Sequence, residues 1–236
     1  MRRCFDLLSG GCVVHHPRLH HGPITALAAL GRECFATSST SGVIQTVGWR
    51  ARAEQHRLVG HTDAVVALLM RGYVSNRTGG KHQELYSGSA DRTVRGWDRE
   101  GQNIWRLALP GPSTAAIIGL QLHRGLLCCG LSSGALHYFH AESHETMSSS
   151  PPYVGPSSAR EAWPQGEDVG RFHIQGELAY FAVGSTVYGQ RHQREGEGGE
   201  LYKIKWTYPK HKGKVTGIRV CDSQLLLTCS QVAASC

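Results

Sequence analysis

The sequence predicts an all-β protein whose short antiparallel strands come in groups of four. Three observations lead there. β-prone runs of about 4–8 residues recur along the chain, separated by clusters of Gly, Ser, Asn and Asp that read as turns. Glycine is abundant, 29 of 236 residues, as many tight connections require. Histidines also recur in phase. His20, His61 and His211 each stand four residues before an apolar run, opened by Ile24, Val65 and Val215, and His20 and His61 lie 41 residues apart. A period of that size marks a repeat architecture.

The clearest repeat occupies residues 60–98. It opens with Gly60-His61 before the run Val65, Val66, Ala67, Leu68, and closes with Ser87-Gly88-Ser89-Ala90-Asp91-Arg92-Thr93 leading into Trp97-Asp98. Leu85 to Ser87 and Thr93 to Trp97 are short β-prone runs, and the small polar residues between them predict a hairpin turn. This combination resembles one repeat of the WD-repeat β-propeller family. The resemblance implies a ring of four-stranded antiparallel blades. It also implies that His61, Ser87, Asp91 and Trp97 form a hydrogen-bonded chain inside one blade. Such a chain stabilises only when every member is satisfied. Its role in the family is structural, and no Gly-x-Ser-x-Gly elbow accompanies Ser87 to suggest a hydrolase.

With that frame the chain divides in order. Residues 1–20 look like the end of a blade, with Phe5-Asp6 in the place of Trp-Asp and Ser9-Gly10 as the following turn. The first whole blade, about 23–59, has strands over 24–30, 33–38, 43–49 and 54–59. Its polar chain is eroded: Thr37 replaces the Ser, but Ser41 stands at the Asp position and Val47 at the Trp position. The second blade, 60–109, carries an insertion over 71–84 where a connection is normally short, and a long loop there is a place for recognition. The third, 112–166, uses 115–122, 125–130 and 135–139, with Cys129, Ser133 and Phe139 at the Ser, Asp and Trp positions. A flexible insertion follows over 141–168, with a fourth strand near 160–163. The fourth blade, 169–208, has strands over 169–174, 178–183, 185–190 and 201–208. Strands over 215–220 and 224–230 then begin a further unit at 211–236. Together with residues 1–20 they make a split blade, about five blade equivalents in all, as a closed five-bladed ring or as an open or truncated propeller.

Composition bounds the chemistry. The chain is 40% hydrophobic and 18% charged, which is globular. No apolar run approaches the roughly 18 residues needed to span a bilayer. The eight cysteines show no Cys-x-x-Cys spacing, so neither a zinc site nor a redox motif is indicated, and free thiols in apolar runs fit a reducing compartment, cytoplasmic or nuclear. The pairs His15-His16 and His20-His21 offer a metal clip as one reading; a polar connection between strands is favoured, because His20 already belongs to the repeat. The net charge of +7 favours acidic partners.

Neither a catalytic constellation nor a cofactor or metal motif emerges, and the resemblance implies a non-catalytic scaffold that assembles proteins or peptides through propeller loops. Candidate partner-binding residues are Arg71, Lys81 and Arg92, with Lys203, Lys205, Trp206, Lys210 and Lys212. The last five belong to the basic and aromatic segment from Lys203 to Lys214, which is of the kind that binds RNA, and ribosome assembly is the alternative role it suggests. The same stretch also reads as a strand with Lys203 and Lys205 pointing outward. A ubiquitin-ligase substrate receptor is a third reading. Receptors of that kind often carry a basic residue two positions after Trp-Asp, where this chain has Glu100 after Arg99.

Overall fold

The computed structural model describes residues 2–5, 10–16, 20–31, 34–48, 54–74, 80–109, 115–149, 169–176, 178–191, 204–208, 211–221 and 225–231. Among them every regular element is a β-strand. The chain divides into two compact units, Met1–Ser113 and Thr114–Cys236. The first contains β1 (Arg2–Phe5), β2 (Cys12–His16), β3 (Ile24–Ala29), β4 (Cys34–Ser39), β5 (Ile44–Gly48), β6 (Glu54–Leu58), β7 (Val65–Val74), β8 (Lys81–Ser89), β9 (Thr93–Trp97) and β10 (Asn103–Ala108). The second contains β11 (Ile117–His123), β12 (Leu126–Leu131), β13 (Leu136–His140), β14 (Thr146–Ser149), β15 (Val169–Gln175), β16 (Leu178–Val183), β17 (Thr186–Arg191), β18 (Ile204–Thr207), β19 (Val215–Cys221) and β20 (Leu225–Ser230).

Sequential strands pair antiparallel throughout. They form four four-stranded sheets, β3 to β6, β7 to β10, β11 to β14 and β15 to β18, and two two-stranded sheets, β1–β2 and β19–β20. Short connections explain the order, because a hairpin leaves the next strand beside the last. Each strand alternates its side chains between two faces, so both faces of a sheet can be buried when sheets stack. In the first unit Ala36, Ile44 and Leu58 of one sheet pack with Val65, Leu85 and Trp97 of the next. Burying one such aliphatic side chain contributes about 1.5–3 kcal/mol. In the second unit Cys128, Leu136 and Tyr138 pack with Ile174, Ala179 and Phe181, and Tyr180, Ala182 and Val187 pack with Val215 and Ile218.

Close approach between sheets is made at glycines. A Cβ on Gly130 would stand 2.4 Å from the Phe172 ring, so only glycine lets that ring lie across β12. The Gln121 side chain adds a polar tie: its carbonyl oxygen accepts the Ile174 N–H at 2.9 Å and its amide donates to the Ile174 carbonyl, standing in for a missing ladder partner.

Two expectations need correction. The insertion at 71–84 is mostly not a loop. β7 and β8 continue past the neighbouring strands and stay paired out to Val74 opposite Lys81, leaving 75–79 outside the described residues. The extension has its own side-chain ladder: Arg71 faces Glu84 and Tyr73 faces His82, whose rings stack 5.4 Å apart. The flexible insertion predicted for 141–168 also begins too early. A tight turn, with His144 donating its backbone N–H to the His140 carbonyl at 2.8 Å, returns the chain at once. Residues 146–149 therefore form β14 beside β13. Thr-Met-Ser-Ser has little strand pattern of its own, so the sequence points to 160–163 for the fourth strand; that segment lies outside the described residues.

Candidate functional site

The turn between β8 and β9 builds the site. Arg92 donates its backbone N–H to the Ser89 carbonyl at 3.1 Å and adopts φ +63°, the left-handed residue that closes a type I hairpin turn. This geometry aims Asp91 back across the sheet. One carboxylate oxygen accepts from the Thr93 hydroxyl at 2.7 Å and the Thr93 N–H at 2.8 Å. The other accepts from the Thr62 N–H at 3.0 Å and faces His61 Nδ1 at 2.9 Å. His61 Nε2 lies 2.7 Å from Ser87 Oγ, and Trp97 donates its indole N–H to the same oxygen at 2.8 Å.

The proton arrangement follows from the donors. The Asp91 carboxylate can only accept, so His61 Nδ1 facing it carries an N–H, and Ser87 Oγ accepts the N–H of Trp97, which can only donate. Burial keeps His61 neutral, which leaves Nε2 as a lone pair to accept the Ser87 hydroxyl hydrogen. Burial pulls the His61 pKa below 6.5, against the opposing attraction of Asp91. For Asp91 burial works the other way, but the hydrogen bonds from Thr93, Thr62 and His61 outweigh it and bring the carboxyl down to about 2. The result is a fully satisfied chain running from Trp97 to Asp91.

A serine, a histidine and a carboxylate in line have the composition of a hydrolase triad, but this one is closed. Ser87 is 0% exposed and its oxygen is already occupied by Trp97 and His61, so no substrate carbonyl can approach it. The hydrogen-bonded chain ties the segment before β7 to β8 and β9.

Two shorter versions stand at the other phased histidines. His20 Nε2 lies 3.1 Å from Thr37 Oγ1, and His211 Nε2 lies 2.7 Å from Thr228 Oγ1. Ser41, at the Asp position of the first, bonds Ser39 instead, at 2.8 Å. Thr93 and Thr228 were missed in the sequence. Thr93 stands two residues beyond Asp91 in the turn, a local signal that could have been read.

The candidate partner-binding residues belong to several elements. Arg71 is drawn into its own sheet, where it donates to the Tyr86 hydroxyl at 3.0 Å and lies 4.3 Å over the Tyr73 ring. Its place on a strand corrects its reading as a loop residue. Arg92 donates to the Leu109 carbonyl at 3.0 Å, and the Lys81 backbone pairs with Val74. Lys205 and Trp206 are on β18, Lys212 is exposed before β19, and Lys203 and Lys210 lie outside the described residues. A pocket of about 220 Å³ opens between the two large sheets of the first unit, with Leu30, Leu58, Met70 and Leu85 as its apolar walls and Asp98 and Arg99 at its polar end. That volume is below the roughly 300 Å³ at which ligand sites begin, and suits a single side chain.

No family model and no curated protein matches the chain. Solved structures do. The crystal structure of the computationally designed Ika8 protein is similar over 97% of this chain and 74% of its own, at 14% identity and a TM-score of 0.57. That of the computationally designed Ika4 protein covers 74% of this chain and 94% of its own, at 19% identity and a TM-score of 0.51. At such identities the likeness is one of fold.

Proposed function

We propose that the chain is a WD-repeat β-propeller and serves as a non-catalytic scaffold that binds proteins or peptides. In this reading the four-stranded sheets are its blades. The observation that carries it is the use made of the one Ser-His-Asp line. All its polar atoms are spent inside a sheet, as befits a rigid frame whose loops do the recognising. The RNA-binding alternative rests on the net charge of +7 and the Lys203 to Lys214 segment.

Binding measurements on the full chain test both. Titration against a peptide library, and against a single-stranded RNA between about 50 and 200 mM salt, separates them, because phosphate contacts make affinity fall steeply with salt. Saturable, salt-tolerant peptide binding supports the scaffold. Steeply salt-dependent RNA binding without peptide binding transfers the role to RNA. Turnover of an ester or amide substrate that disappears in S87A defeats the non-catalytic reading.

A further inference from the structure

The seam between the sheet β15 to β18 and the pair β19–β20 holds an imidazole with nothing to bond. His173 sits within β15, directly opposite Tyr180 of β16, and is only 7% exposed. It shares a face with Tyr180 and Ala182, which pack on Val215 and Ile218 of β19. Both of its ring nitrogens are buried and make no hydrogen bond. A neutral ring leaves one N–H and one lone pair unsatisfied there; a protonated ring would add a second bare N–H and a full charge.

Among the described residues, the strands around it offer that charge no partner. None of the six strands from β15 to β20 carries an Asp or Glu, whereas Arg171, Arg191, Lys205 and Arg219 are all on them. Among the described residues, the other titratable groups at the seam are Tyr180 and Tyr208, Cys221 on β19, and Lys214 and His211 ahead of it. β19–β20 is also the element with most to lose. Two paired strands alone are marginal in water, and Leu225 and Leu227 of β20 remain 55% and 50% exposed.

We propose that His173 is an acid-sensitive latch: while its ring is neutral β19–β20 stays seated on the sheet β15 to β18, and protonation of the ring releases the pair. Burial, with the positive charge of Arg219 adding to it, holds His173 below the ordinary 6.5, so the latch is closed at neutral pH. Released, β19–β20 would bare the apolar face of Tyr180, Ala182 and Val187.

The test is hydrogen exchange on the full chain between pH 7.5 and 5.5, corrected for the intrinsic exchange rate and read on β19–β20. A single imidazole that protonates only in the opened state raises the opening constant about tenfold over that range. H173Q and H173F remove the titration, while H211Q controls for the imidazole that bonds Thr228. The latch is supported if the tenfold rise persists in H211Q and flattens in both His173 variants. It is overturned if the wild type shows no rise, if the His173 variants keep it, or if H211Q alone removes it. Should neither His173 variant fold, the wild-type ring is followed by NMR. A His173 signal that charges only as the β19–β20 amides open supports the latch, and one that titrates near 6.5 with those amides unmoved refutes it.

Discussion

Replacing Ser87 with alanine tests the buried chain most directly. The hydroxyl is one oxygen with two roles, accepting the Trp97 N–H at 2.8 Å and donating to His61 Nε2 at 2.7 Å. Ser87 is fully buried, and Trp97 and His61 are nearly so, so water cannot replace either bond without repacking. An orphaned buried polar group costs about 1–3 kcal/mol, and two are orphaned here, so the expected loss is about 2–6 kcal/mol. Against a total stability of about 5–15 kcal/mol this is a large fraction, and the midpoint should fall by on the order of 10 °C. Thermal and urea denaturation followed by circular dichroism measure it. Trp97→Phe removes the indole donor, so the S87A/W97F double variant should lose clearly less than the two single losses together. A single-variant loss below about 0.5 kcal/mol, or strict additivity, would show that the network contributes no more than surface polarity and would refute the argument.

Three further outcomes are expected. Gly96→Ala should destabilise by about 1–3 kcal/mol, because its Cβ would stand 2.2 Å from the Trp105 ring, which lies over Gly96 and meets Tyr86 edge-on at 4.9 Å; chemical denaturation measures the loss, and G96A/W105A should recover part of it relative to W105A. Stability should fall as the solution is acidified. His61, held below 6.5 when folded, contributes fully above that value and loses its contribution as the pH drops through the lower folded value, because the unfolded chain binds the proton first. Asp91, lowered from 3.8 to about 2, adds a second loss between those two values, and D91N should flatten that limb of a pH-dependent unfolding curve. Thiol labelling of the native chain should modify the exposed Cys12 and Cys229 first. Cys128 and Cys129 should react only on unfolding, since both are fully buried and burial pushes the Cys128 thiol up to about 12 and Cys129 upward as well. Their reaction at the rate of Cys229 would contradict this packing.

Much of the strand layout was legible because it is local. The run Thr93 to Trp97 alternates, the turn 89–92 has the residues a hairpin needs, and His61 stands at a fixed distance before Val65. The extension of β7 and β8 was not legible, because Arg71, Tyr73, His82 and Glu84 read as polar insertion until pairing sets them across from one another. β14 was missed for a related reason. A weak strand such as Thr146–Ser149 forms because β13 presents an open edge and the turn after His140 delivers it there.

The candidate site divides along the same line. Asp91 and Thr93 belong to one turn, and His61, Ser87 and Trp97 can be placed by counting along neighbouring hairpins. Sequence by itself determined which side chains can bond, because antiparallel register converts sequence separation into position. The tertiary structure alone decided what each sheet face meets: that Phe172 lies on Gly130, and that His173 is sealed with both nitrogens bare. The reason is physical. Pairing along a sheet is set by adjacent segments of chain, whereas burial and its cost depend on which surface comes to rest on which, and no local pattern carries that information.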